Sequence, residues 1–151
     1  MNCYRIKVSI IGIPKLYRLI EIGAASTFAD LHEIIFAAFA REEPRLYSFF
    51  ITRQDTRDID AIVDAPEITS PENTDDLVLP GLSRTLANEA TLASVDLAAG
   101  DVFHYLFDFG DSWWHHLRVE EVTSVPETEP FARVVDAAGL APRQQLAQDP
   151  E

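Results

Sequence analysis

Three features of this 151-residue chain predict an α+β fold, a single mixed β-sheet with one main helix packed on a face. Two alternating segments near the N-terminus read as a β-hairpin. A helix signature with its own capping residues follows them. Two further alternating segments then meet at a turn crowded with aromatic and ionisable side chains, residues 108–116.

Residues 4–11 place Tyr4, Ile6, Val8 and Ile10 on one face and Arg5, Lys7 and Ser9 on the other, the period of a half-buried strand. Gly12-Ile13-Pro14-Lys15 reads as a turn, and residues 16–22 as the returning strand. Thr27 is placed as a helix N-cap with Asp30 completing a capping box. Phe28, Leu31, His32, Ile35 and Phe39 recur at helical spacing, and the helix ends near Ala40, before Glu42-Glu43-Pro44. Residues 46–52 suit a third strand. Between 54 and 80, eight carboxylates lie among Pro66, Pro71 and Pro80, which predicts a solvated loop with a short strand at 77–79. Leu92, Val95 and Leu97 suggest one helical turn, closed by Ala99-Gly100-Asp101. Residues 102–109 form a fourth strand with Phe103, Tyr105, Phe107 and Phe109 on one face. Residues 113–122 form a fifth, with Trp113, His115, Leu117 and Val119 opposite Trp114, His116, Arg118 and Glu120. The element order, ββαβ, an excursion, then ββ, is β-grasp-like. Residues 1–125 are read as one α+β domain, with 54–100 an acidic, loop-rich excursion. Residues 126–151 are read as a loosely ordered tail with a short strand at 132–135.

The composition, 47% hydrophobic and 10% aromatic, supports a real core. Against 25 Asp and Glu stand only 12 scattered Lys and Arg, a net charge of -13. That balance disfavours direct contact with nucleic acid or anionic membrane. It suits plain solubility, or an acidic face that meets a basic partner. Cys3 is the sole cysteine, so no disulfide or cysteine-rich zinc site forms within one chain. No stretch approaches the ~20 apolar residues of a membrane span, and the N-terminus alternates rather than forming a signal peptide's apolar core. The expected setting is soluble and cytoplasmic.

The turn at 108–116 has two readings. In the structural one it is a hairpin turn whose first Asp accepts backbone N–H bonds while Gly110 supplies a positive φ. In the chemical one Asp108, Asp111 and His115, with His104 or His32 assisting, hold a divalent metal such as Mn, Fe or Zn, or do acid–base work. Its Asp-Phe-Gly triplet does not signify a kinase, since the glycine-rich phosphate loop and His-Arg-Asp loop are missing. Trp113 and His115 fall on the core face, His115 placed to donate to Asp108 or Asp111. Trp114 and His116 face the other way, an anchor for a partner if that side is open and core if the excursion covers it. His32 lies on the helix's apolar stripe, either as a satisfied core histidine or paired with Asp111 or His115. No serine sits in a nucleophile elbow, and the six glycines do not cluster into a phosphate loop.

Leu31-His32, Leu46-Tyr47-x-Phe49 and Asp108-Phe109-Gly110-Asp111-x-Trp113-x-His115 occur in that order. Together they resemble the plasmid Ri ORF-three-like family, over roughly residues 4–142. Tyr17-Arg18 stands where that family usually has Trp-Arg. The resemblance implies a bacterial or archaeal α+β domain often carried on plasmids and mobile elements, and brings no established activity with it. Ala40-Arg41 replaces the family's Gly-Trp, Arg45 its usual His, and the tail lacks the Pro-Pro-Glu-Asp ending. These departures weigh against an enzyme. The expectation is a non-enzymatic protein-binding or adaptor module without cofactor, its partner another protein, with Trp113, Trp114, His116, Tyr47 and His32 as binding residues. The alternative is a metal-dependent hydrolase or nuclease-like enzyme built on Asp108, Asp111 and His115. Oligomeric state is left open. If Asp111 caps the turn, Asp111→Ala costs ~1–3 kcal/mol.

Overall fold

The first hairpin is longer than its alternation suggests. In the computed structural model, which describes residues 1–73 and 84–144, β1 (Asn2–Ile10) pairs antiparallel with β2 (Ile13–Gly23). The reversal is confined to Ile11 and Gly12, with Gly12 at φ 95°. Strand β2 therefore starts before the expected turn has ended. Pro14 falls where the register shifts, between the Ile10–Ile13 and Ser9–Tyr17 pairs, so its missing N–H interrupts no regular ladder.

Helix α1 (Phe28–Ala38) starts as predicted. Thr27 Oγ1 accepts from the Asp30 N–H at 3.1 Å, and Asp30 Oδ2 accepts from the Thr27 N–H at 2.9 Å. The helix buries Phe28, Leu31, His32 and Ile35 against one face of the sheet. There they join Tyr4, Ile6, Val8, Ile20, Phe49, Phe103, Tyr105 and Leu117. Phe28 packs edge-on to Phe49 at 5.2 Å between ring centroids. Each such fully buried side chain stabilises the docking by about 1.5–3 kcal/mol.

The remaining elements are β3 (Tyr47–Phe50), α2 (Ile59–Val63), β4 (Glu67–Thr69), β5 (Arg84–Leu86), α3 (Leu92–Val95), β6 (Val102–Phe107), β7 (Trp113–Ser124) and β8 (Ala132–Ala138). They complete one mixed sheet of eight strands in the order β5-β4-β3-β6-β7-β1-β2-β8. Only β4 and β5 pair in parallel among the described residues. The mixed sheet was legible, but its order gives no support to the β-grasp-like arrangement. Strand β7 turns back along β6 and continues antiparallel to β1, which leaves β2 to receive β8.

The acidic excursion is more than a loop. Asp58 caps α2, Ile62 fills the core side, and β4 pairs antiparallel with β3. The strand expected at 77–79 lies outside the described residues. Residues 52–56 cross the face opposite α1. Thr52 Oγ1 lies 2.8 Å from His104 Nδ1, and the Thr56 carbonyl oxygen 2.9 Å from His104 Nε2.

The segment expected to be a loose tail carries β8 and is tied down through residue 144. The Arg18 guanidinium donates to the carbonyls of Ala38 (2.9 Å), Ala138 (3.0 Å) and Gly139 (3.1 Å). Buried Gln144 accepts from the Glu42 and Glu43 N–H groups and donates to the Glu43 carbonyl. Apart from Ala38, these partners lie 101 to 121 residues away in sequence, beyond any local pattern. No helix among the described residues is long and apolar enough to cross a membrane.

Candidate functional site

The Asp108 turn is held by its first residue. Asp108 itself adopts the left-handed region, at φ 63°, and Ser112 does so at 56°; Gly110 does not. The glycine is thus not the source of the positive φ. A short carboxylate makes the left-handed region tolerable by accepting from the amides that follow. Asp108 Oδ1 accepts from the Gly110 N–H at 3.1 Å and the Asp111 N–H at 3.3 Å, and the Ser112 N–H donates to the Asp108 carbonyl at 2.6 Å. Asp108 Oδ2 lies 3.5 Å from Arg45 Nε. Asp111 is exposed and caps nothing.

His115 points elsewhere. It is 1% exposed on the α1 side of the sheet, with its ring against Phe39 and Tyr105. Its Nδ1 donates to the Trp113 carbonyl at 2.9 Å rather than to Asp108 or Asp111. Burial, reinforced by the Arg41 guanidinium, pushes its pKa down to about 3. Asp108, Asp111 and His115 therefore do not converge. Among the described residues, no three His, Cys, Asp or Glu side chains gather to hold a metal ion.

The two tryptophans separate as alternation requires. Trp113 lies beneath Arg41, whose guanidinium carbon is 4.8 Å from the ring centroid. Trp114, on the opposite face, packs on Phe50 at 5.8 Å, and His116 Nε2 lies 2.9 Å from Asp55 Oδ1. Both are half-buried, because residues 52–57 cover part of that face. A groove of about 240 Å³ beside His116 is lined by Lys7, Asp55, Arg57 and Arg118 among others.

His32 and Tyr47 do come together. Their rings stack at 3.7 Å with an interplanar angle of 5°. The Tyr105 hydroxyl lies 2.7 Å from His32 Nδ1 and fixes the ring from below. Neither expected partner of His32, Asp111 or His115, is hydrogen-bonded to it. His32 is 6% exposed and Tyr47 4%, and both line a cleft of about 500 Å³. Ala29 and Glu33 of α1 form one wall, residues 44–46 a second, and Ser70, Pro71 and Glu72 a third.

The electrostatics of the cleft follow from that burial. Desolvation lowers the His32 pKa to about 4, against the opposing pull of Glu72, so the ring is neutral near pH 7. Its Nε2 lies 3.8 Å from Glu33 Oε1, beyond hydrogen-bonding distance. The Tyr47 phenol is pushed well up by burial and then by Glu72, Glu33 and Asp30, all carboxylates. Its hydroxyl makes no hydrogen bond to any described residue and reaches the solvent of the cleft. Glu72 is fixed by Ser70, whose hydroxyl donates to Oε2 at 2.5 Å, and its pKa is lowered chiefly by that bond. A histidine with a pKa near 4 is a poor base at neutral pH, and the phenol stays protonated. The floor offers hydrogen-bonding groups and a flat aromatic pair rather than an acid–base couple.

Sequence reasoning singled out His32 and Tyr47 but not Glu33, Glu72 or Tyr105. Tyr105 was visible on the core face of its strand. Glu72 was one carboxylate among eight between residues 54 and 80, with only the nearby Ser70 to mark it.

No curated protein matches the chain. A crystal structure of a protein of unknown function, MM3350 from Methanosarcina mazei Go1, shares the fold. The TM-score is 0.71 at 23% sequence identity, over 95% of this chain and 72% of that one. The stretch from residue 2 to residue 148 matches the family model described as plasmid pRiA4b ORF-3-like protein, so the chain belongs to that family.

Proposed function

We propose that this chain is a non-enzymatic protein-binding module whose docking site is the cleft floored by His32 and Tyr47. One observation carries the reading. Two largely buried side chains open into the same cleft, with His32 Nε2 and the Tyr47 hydroxyl reaching its solvent and unbonded to any described residue. Both atoms are open to the cleft and can take up further hydrogen bonds. A partner's backbone or side chain would supply them. The rigid backing of the floor by Tyr105 limits the ordering cost of binding. Leu46 on the rim, 36% exposed, adds an apolar contact of the kind that anchors an interface. The metal-dependent hydrolase reading gains no support, since its three residues point apart.

Photocrosslinking tests the proposal in the native host. A benzophenone amino acid at Leu46 should yield a discrete protein adduct, and the same group at Val63, exposed on the remote α2, should not. Identical adducts from both positions, or none from Leu46, would contradict it.

A further inference from the structure

We infer that the cleft accepts a cationic side chain, a lysine or arginine, from its protein partner. The inference rests on the cleft being the docking site and names what enters it. Glu33 and Glu72 stand on different walls, and both bear on the Tyr47 hydroxyl, as does Asp30, three residues before Glu33 on α1. Among the described residues Arg45 is the one cation on the lining, and it is engaged by Glu43 at 2.5 Å and by Asp108 at 3.5 Å. Its charge is thus drawn toward the Asp108 turn and away from the floor. His32 presents a neutral ring near pH 7, so it adds no charge repulsion toward an ammonium or guanidinium.

The donors and acceptors also suit such a guest. A lysine or arginine head donates only, and it would meet two carboxylates and the oxygen of Tyr47. Pro44, Leu46 and Pro71 give apolar contact for the methylene stem, the usual arrangement when a long cationic side chain is buried to its tip. Ser70 holds Glu72 in place before any guest arrives. A net charge of -13 favours approach of a basic segment over an acidic one.

The test uses the full-length, isotope-labelled chain and blocked pentapeptides of the form Gly-Gly-X-Gly-Gly. X is lysine, arginine, norleucine or glutamate. Nuclear magnetic resonance shifts are followed at the amides of Glu33, Leu46, Tyr47 and Glu72. The expected result is localised, saturable shifts with the lysine and arginine peptides, at least tenfold weaker binding of norleucine, and no binding of glutamate. Replacing both carboxylates, Glu33→Gln with Glu72→Gln, should weaken the lysine peptide at least fivefold while the rest of the spectrum stays in place. Equal binding of norleucine and lysine would overturn the cationic guest and leave the docking cleft standing. Failure of every peptide to shift these amides would overturn the cationic guest, and the Leu46 crosslink decides the docking cleft separately.

Discussion

Asp108 carries two loads at one position: it occupies a left-handed conformation and it caps the amides of Gly110 and Asp111. Removing its carboxylate leaves both amides short of an acceptor in a half-buried turn. Asp108→Ala should therefore cost about 1–3 kcal/mol in urea denaturation, and Asp108→Asn distinctly less. Asp111→Ala, to which the sequence assigned that cost, should change stability by no more than about 0.5 kcal/mol. A large loss at Asp111 would show that the turn is held differently. The sequence identified the turn and its first aspartate as an acceptor. It could not show which residue takes the positive φ, because Asp and Gly both tolerate it. The buried histidines add a pH dependence. In the unfolded chain each ring takes up a proton near pH 6.5; in the folded protein His32 does so only at about 4 and His115 at about 3. Between those limits the unfolded state holds more protons, so stability is full above pH 6.5, falls as the pH drops below it, and levels off for His32 at about 4 and for His115 at about 3. At pH 4.5 the loss should be on the order of 2–3 kcal/mol per ring. His32→Gln should flatten the pH dependence of the urea midpoint between 7 and 4.5; an unchanged slope would mean that the ring is hydrated in the fold.

Among the elements, α1 was the most legible because its start and its buried stripe are both written locally. The reciprocal bonds of Thr27 and Asp30 should make Thr27→Ala cost about 1 kcal/mol, read from chemical denaturation. Strand β8 was the least legible. Its residues alternate weakly, and its anchors, Arg18 and the β2 backbone, lie more than a hundred positions upstream. Gly139 marks the place where the chain leaves β8, at φ 83°, with Leu16 close by. A Cβ there would approach the Leu16 Cα to 3.2 Å in a backbone region that alanine resists. Gly139→Ala should lower stability by about 1–2 kcal/mol and raise amide exchange along 132–138 before the rest of the sheet. Uniform loosening would argue against β8 as a separately anchored edge. The excursion shows the converse failure: a dense run of carboxylates hid α2 and β4, each fixed by a single buried isoleucine, Ile62 and Ile68.

At the scale of the whole molecule, three remote segments build the cleft: the first half of α1, the approach to β3, and the turn after β4. The two short motifs containing His32 and Tyr47 were readable as a pair in order. Their stacking was not, since it depends on β3 lying beside β6 and under α1. The carboxylate wall was hidden for the same reason: Glu72 reaches the cleft only because β4 adds to the sheet edge. In the 108–116 stretch, strand alternation sends Trp114 and His116 to the face away from α1, as the sequence reading placed them. Amide hydrogen exchange on the full-length chain, alone and bound to the partner captured from Leu46, tests the central claim most directly. The account predicts new protection at residues 29–33, 44–47 and 70–72. Protection confined to the opposite face, at residues 5–9 and 114–120, would contradict it.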